Sequence, residues 1–331
     1  MLYKTATLVL LLVCLCTRAA AVTIDTVPIG DPGNPADTSY YPQGIGAVGY
    51  EYRMSTYEVT VAQYVEFLNA KAASDPMRLF SSEAPIDRSG ADGSFSYAAE
   101  PNAGNLPITY LNFWSAARFA NWMHNGQGNG DTETGSYNLG GVRLPDDSAR
   151  ARTPNADWVV PTEDEFVKAG YYDPRTEAEV GPPGDDHYWL YPTRSDSAPT
   201  QATIDSNRVI ANPGFNAANW QTFQLSIIGS AGPDSTSYYG TYDQGGNVKE
   251  WALPSFGQIA QTKGGSAGFE VELLQAAARF PMFGLAESNW PDAGFRLAFI
   301  PEPSSLTLAA MGLAVASAIA YRRGARFHNR G

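Results

Sequence analysis

The sequence has 331 residues, enough for one large domain or two modest ones, and its 44% hydrophobic and 17% charged content is that of a globular protein. A formal net charge of −12 disfavours nucleic acid and anionic lipid as partners, and suits cations or neutral ligands. The only two cysteines, Cys14 and Cys16, lie in an apolar N-terminal run. Thiol catalysis, disulfide bonds and thiolate metal sites are therefore excluded from the rest of the chain.

Residues 1–21 are typical of a secretory signal peptide. Lys4 supplies the positive start, Ala6 to Cys16 is apolar, and Ala19-Ala20-Ala21 is a small-residue cleavage site. The alternative is an uncleaved anchor, for which the apolar run is short. A Gly-, Pro- and Asp-rich lead-in is expected over residues 22–39.

Three helices are predicted from capping and spacing patterns. Thr60-Val61-Ala62-Gln63 has the pattern of a capping box, and the apolar residues that follow share one helical face. A similar spacing runs from Phe113 to Met123 and ends at Asn125-Gly126. Thr162-Glu163-Asp164-Glu165 opens a third helix directly after Pro161.

Short aromatic strands are expected at Tyr52 to Tyr57 and at Gly294 to Ile300. Long Gly-, Asn- and Pro-rich stretches separate these elements. Few helices, short strands and many loops predict an irregular, loop-rich α+β domain.

Several motifs in this order resemble the sulfatase-modifying factor family, the formylglycine-generating enzymes. The resemblance covers residues 40–300 and implies a variant of the C-type lectin-like fold. The motifs are Tyr57-Glu58-Val59-Thr60, Pro107-Ile108-Thr109-Tyr110, Pro161-Thr162-Glu163-Asp164-Glu165, Gly246-Asn247-Val248-Lys249-Glu250-Trp251, Gly264-Gly265-Ser266 and Gly294-Phe295-Arg296.

The C-terminal residues 301–331 combine Pro301-Glu302-Pro303, an uncharged stretch over residues 304–321 and a basic cluster that begins with Arg322-Arg323. The stretch is long enough to span a bilayer, with the arginines on the cytoplasmic side. The order of these parts resembles the PEP-CTERM sorting signal. That resemblance implies an exosortase-type transpeptidase as a partner, and delivery to the cell surface or extracellular matrix with at least transient membrane anchoring. A plain single-pass anchor is the alternative.

The family enzymes oxidise a substrate cysteine with two active-site cysteines that hold copper(I). The resemblance places those positions three and eight residues after Ser266, where this chain has Phe269 and Leu274. Neither side chain can supply a thiolate, so neither copper nor formylglycine generation is expected, and no catalytic residue is assigned. The three-histidine iron site of related enzymes is also not expected, since only His124 and His187 precede the tail.

The resemblance implies one calcium ion, held by the side chains of Asp243 and Glu250 and by the carbonyls of Gly246 and Val248. Calcium prefers six to eight such oxygens. The alternative is that both carboxylates cap a turn. Lys249 departs from the family's usual tryptophan and would weaken the site unless it points to solvent. A second ion at Asn219 and Trp220 is a weaker candidate, because no acidic residue follows nearby.

Ser266 and Arg279 belong to the cleft that the family pattern implies. Gly264-Gly265-Ser266-Ala267-Gly268 also fits the G-x-S-x-G nucleophile elbow, but the only downstream histidine is His328. A glycine turn at the cleft is therefore favoured for this segment, and a structural ion pair for Arg279.

The sequence favours a non-enzymatic surface protein that binds calcium and a glycan or protein ligand. The alternative is a sulfatase-modifying-factor-type oxidoreductase that uses cysteine-independent chemistry. A structural scaffold with no ligand beyond calcium is a third possibility.

Overall fold

The computed structural model describes residues 21–175, 187–199, 225–255, 260–267, 271–281 and 289–301. These residues form an α+β domain in which short strands and helices are joined by long loops. The predicted signal peptide, apart from Ala21, and the predicted span at residues 304–321 lie outside them. No helix in the described part of the chain is long and apolar enough to cross a membrane.

The first sheet has four antiparallel strands in the order β1-β2-β10-β5. The strands are β1 (Thr26–Ile29), β2 (Tyr52–Ser55), β5 (Trp158–Val159) and β10 (Ala298–Phe299). The segment expected as a loose lead-in therefore contributes an edge strand, and Ile29 at its end is fully buried. The Gly-, Pro- and Asp-rich run that suggested a lead-in, Gly30 to Asp37, begins only after this strand.

The second sheet also has four strands, in the order β8-β7-β6-β9, with β6 and β9 parallel. Its strands are β6 (Lys249–Ala252), β7 (Gln261–Lys263), β8 (Phe280–Pro281) and β9 (Ala293–Gly294). A separate hairpin pairs β3 (Ile86–Ser89) with β4 (Ser96–Ala99).

The three predicted helices are confirmed, as α1 (Val61–Lys71), α2 (Phe113–His124) and α3 (Glu163–Tyr171). Thr60 and Thr162 each form a complete capping box, with Gln63 and Glu165 as the reciprocal partners. Every residue of α2 from Phe113 to Met123 is buried, so this helix lies at the centre of the core. A helix enclosed on all sides in this way fixes the elements packed around it.

Aromatic contacts connect α2 to both sheets. The ring of Phe119 lies 5.4 Å from that of Phe295, just before β10. The ring of Phe113 lies 6.3 Å from that of Trp251 on β6. The ends of β6 and β10 are therefore held against one core.

Candidate functional site

The Gly246–Trp251 segment begins with a tight turn and continues as β6. Asp243, Gly246 and Asn247 have φ values of 57°, 97° and 54°. Glycine, asparagine and aspartate adopt this left-handed region most readily. The Gly246 N–H donates to the Gly264 carbonyl at 2.8 Å, so the turn is joined to the Gly264-Gly265-Ser266 segment.

Glu250 is fully buried, and both of its carboxylate oxygens accept hydrogen bonds from Arg296. The distances are 2.6 Å from Nε to Oε2 and 2.8 Å from Nη2 to Oε1, and neither side chain is exposed. Arg296 also donates to the carbonyls of Ser55 and Tyr242, at 3.1 and 2.8 Å. The pair therefore ties β6 to the end of β2 and to the residue before Asp243.

A carboxyl group that sequence analysis missed, that of Glu58, lies beside Asp243. Glu58 is 2% exposed, its Oε1 accepts from Asn247 Nδ2 at 3.2 Å, and its carboxyl group lies within hydrogen-bonding reach of the Asp243 carboxyl group. Asp243 Oδ2 accepts from the Gly229 N–H at 2.5 Å. Burial raises the pKa of Glu58 well above its ordinary value, and the charges of Asp243 and Glu250 raise it further. Burial also raises the pKa of Asp243.

Three carboxyl groups, those of Glu58, Asp243 and Glu250, therefore share a buried region with the single guanidinium of Arg296. If all three are ionised, two negative charges have no compensating cation among the described residues, which is unfavourable in a low-dielectric interior. A divalent cation would balance both charges, and carboxylate oxygens are ligands that calcium prefers. Among the described residues no three His, Cys, Asp or Glu side chains are placed to hold a metal. A calcium ion here would also need backbone or water oxygens.

The Gly264-Gly265-Ser266 turn is closed by a buried ion pair. Ser266 Oγ donates to Asp292 Oδ2 at 2.8 Å, and Lys249 Nζ lies 2.9 Å from Oδ1 of the same carboxylate. The three residues are only 1–3% exposed. The Lys249 ammonium also lies 4.8 Å from the centre of the Trp290 ring. Lys249 thus neither points to solvent nor pairs with Asp243, and Ser266 is not presented at an open cleft.

Leu274, one of the two residues that the family resemblance aligned with the catalytic cysteines, is buried beneath the same turn. A Cβ atom added to Gly265, whose φ is 63°, would lie 2.8 Å from Leu274 Cδ2. The turn and Leu274 are therefore in close contact, which favours glycine at residue 265. Phe269, Asn219 and Trp220 lie outside the described residues.

Arg279 forms the structural ion pair favoured by sequence analysis. Its Nε and Nη2 donate to Glu163 at 2.6 and 2.7 Å, and its guanidinium lies 3.9 Å from the centre of the Tyr41 ring. Lys263 Nζ lies 3.4 Å from the same carboxylate and is fully buried, which lowers its pKa to about 8. Arg279 therefore supports the start of α3 through Glu163.

The two body histidines have separate neighbours. His124 Nδ1 bonds to Asp157 Oδ1, and His187 Nδ1 lies 3.3 Å from the carbonyl of Arg175. The structure thus brings Asp243 and Glu250 to one buried cluster and Ser266 to another. It adds Glu58 and Asp292, which sequence reasoning missed. For Glu58 the only signal was its place in the Tyr57-Glu58-Val59-Thr60 motif.

Comparisons with known proteins agree with this architecture. Residues 34–300 match the family model of the sulfatase-modifying factor enzyme 1-like domain. The crystal structure of CarF is 20% identical, covers 85% of this chain and 99% of its own, and gives a TM-score of 0.52. PvdO from Pseudomonas aeruginosa is 14% identical over 84% of this chain and 92% of its own, with a TM-score of 0.43. At 20% identity the CarF structure shows a shared fold alone. Among curated proteins the sequence has no significant match.

Proposed function

Because the chain belongs to the sulfatase-modifying factor family, we propose that it is an exported member without formylglycine-generating activity that binds a glycan or protein at the cell surface. The observation that carries the proposal is that no cysteine follows Cys16. Thiolate is the ligand that copper(I) chemistry needs, and Leu274 offers only a buried hydrocarbon at a family cysteine position. The closed hydrogen bond of Ser266 to Asp292 agrees with a turn that supports structure.

A single calcium ion is proposed as a structural cofactor at the start of β6. Asp243 and the carbonyls of Gly246 and Val248 remain candidate ligands. The two hydrogen bonds from Arg296 occupy Glu250, which favours Glu58 as the second carboxylate, since the carboxyl group of Glu58 lies against that of Asp243. Glu250 then holds Arg296 beside the site. The ion supplies the positive charge that balances those carboxylates which Arg296 alone does not neutralise.

Export and surface delivery are proposed from the two terminal segments. The signal-peptide pattern of residues 1–21 supports translocation of the body. The Pro301-Glu302-Pro303 motif, the apolar stretch and the arginines after it support recognition by an exosortase-type transpeptidase, with membrane anchoring before processing.

The test uses the full chain, purified in a mild non-ionic detergent and incubated with copper, oxygen and a cysteine-containing sulfatase-motif peptide. Mass spectrometry of the peptide is the readout, and an active formylglycine-generating enzyme in the same buffer is the positive control. The expected result is an unchanged peptide. Conversion of its cysteine to the aldehyde would contradict the proposal and favour an oxidoreductase with cysteine-independent chemistry.

A further inference from the structure

Two glutamine side chains hold the backbone that follows the predicted signal peptide. The Val22 N–H donates to Gln127 Oε1 at 2.6 Å, and Gln127 Nε2 donates back to the Val22 carbonyl at 2.8 Å. Gln63, in the first turn of α1, adds a hydrogen bond from its Nε2 to the Thr23 carbonyl at 2.9 Å. One primary amide thus pairs with both backbone groups of a single residue, and this pair is called here the Val22–Gln127 clamp.

The chain passes from solvent into the core at the Ala21–Val22 bond. Ala21 is exposed, whereas Val22 is only 8% exposed and belongs to the hydrophobic core, against which Ile24 also packs. The same bond follows Ala19-Ala20-Ala21, the small-residue pattern that a signal peptidase cleaves. One observation from the sequence and one from the structure therefore indicate the same peptide bond.

Gln127 adopts a backbone conformation that glycine would adopt more easily. Its φ is 64°, and it lies between the exposed Gly126 and Gly128 in the turn after α2. A residue with a Cβ atom is strained in this left-handed region, so its presence there calls for a compensating role of the side chain. The Gln127 N–H donates to the Trp122 carbonyl at 2.8 Å and fixes the turn to the end of α2. The two side-chain hydrogen bonds to Val22 supply the compensating role.

Cleavage of the Ala21–Val22 bond would strengthen the clamp. Hydrolysis consumes one water molecule, leaves a carboxylate on Ala21 and frees an amine on Val22, which takes up a proton near neutral pH. A hydrogen bond from an ammonium group is stronger than one from a neutral amide. Gln127 Oε1 lies within hydrogen-bonding distance of that nitrogen, and departure of the exposed Ala21 admits water to the other ammonium protons.

We propose that the chain is cleaved between Ala21 and Val22 and that Gln127 holds the new α-ammonium group, so that the processed N-terminus becomes part of the folded domain. The inference rests on the proposed export, because only a translocated chain meets a signal peptidase. It assigns a role to the glycine-rich turn after α2. A terminus held in this way is protected from aminopeptidases, which act on free, extended chain ends.

The first experiment locates the cleavage. The full chain is expressed with its own signal peptide in a Gram-negative secretion host and purified from the membrane in a mild non-ionic detergent. N-terminal sequencing should give Val22-Thr23-Ile24-Asp25 as the first four residues.

The second experiment measures how well the new terminus is held. The folded chain is treated near pH 7 with an amine-acylating reagent, because lysine side chains stay mostly protonated there and α-amines react preferentially. Mass spectrometry of the N-terminal peptide follows the rate. Gln127→Met keeps the length of the side chain and removes both hydrogen bonds. Acylation of Val22 should be roughly tenfold faster in this variant, since two lost hydrogen bonds raise the population of the open terminus by about that factor.

Two further variants separate the clamp from a local role of the turn. Gln127→Gly removes the clamp and relieves the positive φ, so its terminus should react as fast as that of Gln127→Met while the fold is retained. Arg78→Gly makes the same relief at an exposed residue with a φ of 54°, and as the matched control it should react like wild type.

The inference is overturned if sequencing gives another first residue, or if Gln127→Met and Gln127→Gly are acylated no faster than wild type and Arg78→Gly. A chain processed at Val22 whose variants all react alike would contradict the clamp and leave the proposed export intact. An unprocessed chain would contradict both. The peptide-oxidation assay is independent of these results, so the absence of formylglycine-generating activity is tested separately.

Discussion

Arg296 and Glu250 form a bidentate ion pair in the interior of the domain. The Nε–Oε2 and Nη2–Oε1 distances are 2.6 and 2.8 Å, and neither side chain is exposed to solvent. Glu250 belongs to the motif that starts β6, and Arg296 to the Gly294-Phe295-Arg296 motif that precedes β10. The pair thus joins the two sheets, and the charge of Arg296 also faces Glu58 and Asp243.

Arg296→Met should destabilise the domain by about 3–5 kcal/mol, because it leaves Glu250 buried without its cation. Urea unfolding followed by tryptophan fluorescence measures the change. Arg143 is exposed, so Arg143→Met, the same substitution on the surface, should stay within about 0.5 kcal/mol of wild type. Equal losses in the two variants would mean that the ion pair contributes no specific stability.

Calcium should raise the melting temperature of the wild-type chain relative to the same chain in chelator. At a free concentration about 100 times Kd, the stabilisation amounts to roughly 2.7 kcal/mol. Asp243→Asn and Glu58→Gln should each abolish the calcium response, whereas Asp234→Asn, at an exposed position, should preserve it. A calcium response that survives both Asp243→Asn and Glu58→Gln would place any bound ion elsewhere.

Lys249 and Asp292 should show strong energetic coupling, because each is the buried partner of the other. Lys249→Met should cost about 3–5 kcal/mol by leaving the Asp292 charge unpaired. Adding Asp292→Asn removes that charge and keeps an acceptor for Ser266, so the double variant should recover part of the loss. A double-mutant cycle by chemical unfolding measures this coupling, which we expect at about 1–3 kcal/mol. If the losses of unfolding free energy in the two single variants simply added up in the double variant, Lys249 and Asp292 would not be an energetically coupled ion pair.

The buried ammonium group of Lys263 should make the free energy of unfolding increase as the pH rises above neutrality. Burial lowers its folded-state pKa to about 8 from an ordinary 10.5, so the unfolded chain binds this proton more tightly. The free-energy cost of burying the Lys263 ammonium is present in full below about pH 8 and disappears as the pH approaches 10.5. Between pH 7.5 and 9.5 the gain should be about 2 kcal/mol, at roughly 1.4 kcal/mol per pKa unit.

Urea unfolding at the two pH values measures this gain. The variant Lys263→Met should lack this contribution, whereas Lys71→Met, at the end of α1, should keep the wild-type slope. If Lys263→Met retained the full wild-type increase, the increase would have to come from other groups.

The sequence predicted the helices because their signals are local. Thr60 and Gln63, and likewise Thr162 and Glu165, are three residues apart, and the same short patterns that indicate a capping box also form it. The family motifs likewise predicted the fold class. The β1 strand was missed because four residues carry too little pattern to distinguish a strand from a lead-in.

The polar clusters could not be predicted because their members meet only through the tertiary fold. Glu58 and Asn247 are 189 residues apart, and nothing beside Glu58 in the sequence marks it as a buried carboxylate. Lys249, which lies next to Glu250 in sequence, was expected to weaken the calcium site unless its side chain pointed to solvent. Alternation along β6 sends the two side chains to opposite faces, so Lys249 reaches Asp292 instead.

The position of β10 in its sheet has a mechanical consequence. It is the last strand before Pro301, and it lies between β2 and β5, antiparallel to both. The Ile300 N–H extends the contact by donating to the Asp157 carbonyl at 2.7 Å. Tension applied through the C-terminal tail is therefore directed along a strand that is hydrogen-bonded on both sides. The hydrogen bonds of β10 to β2 and to β5 are then loaded together in shear. A chain tethered at that end would apply the load to an interior strand of its sheet, and not to the edge strand β1.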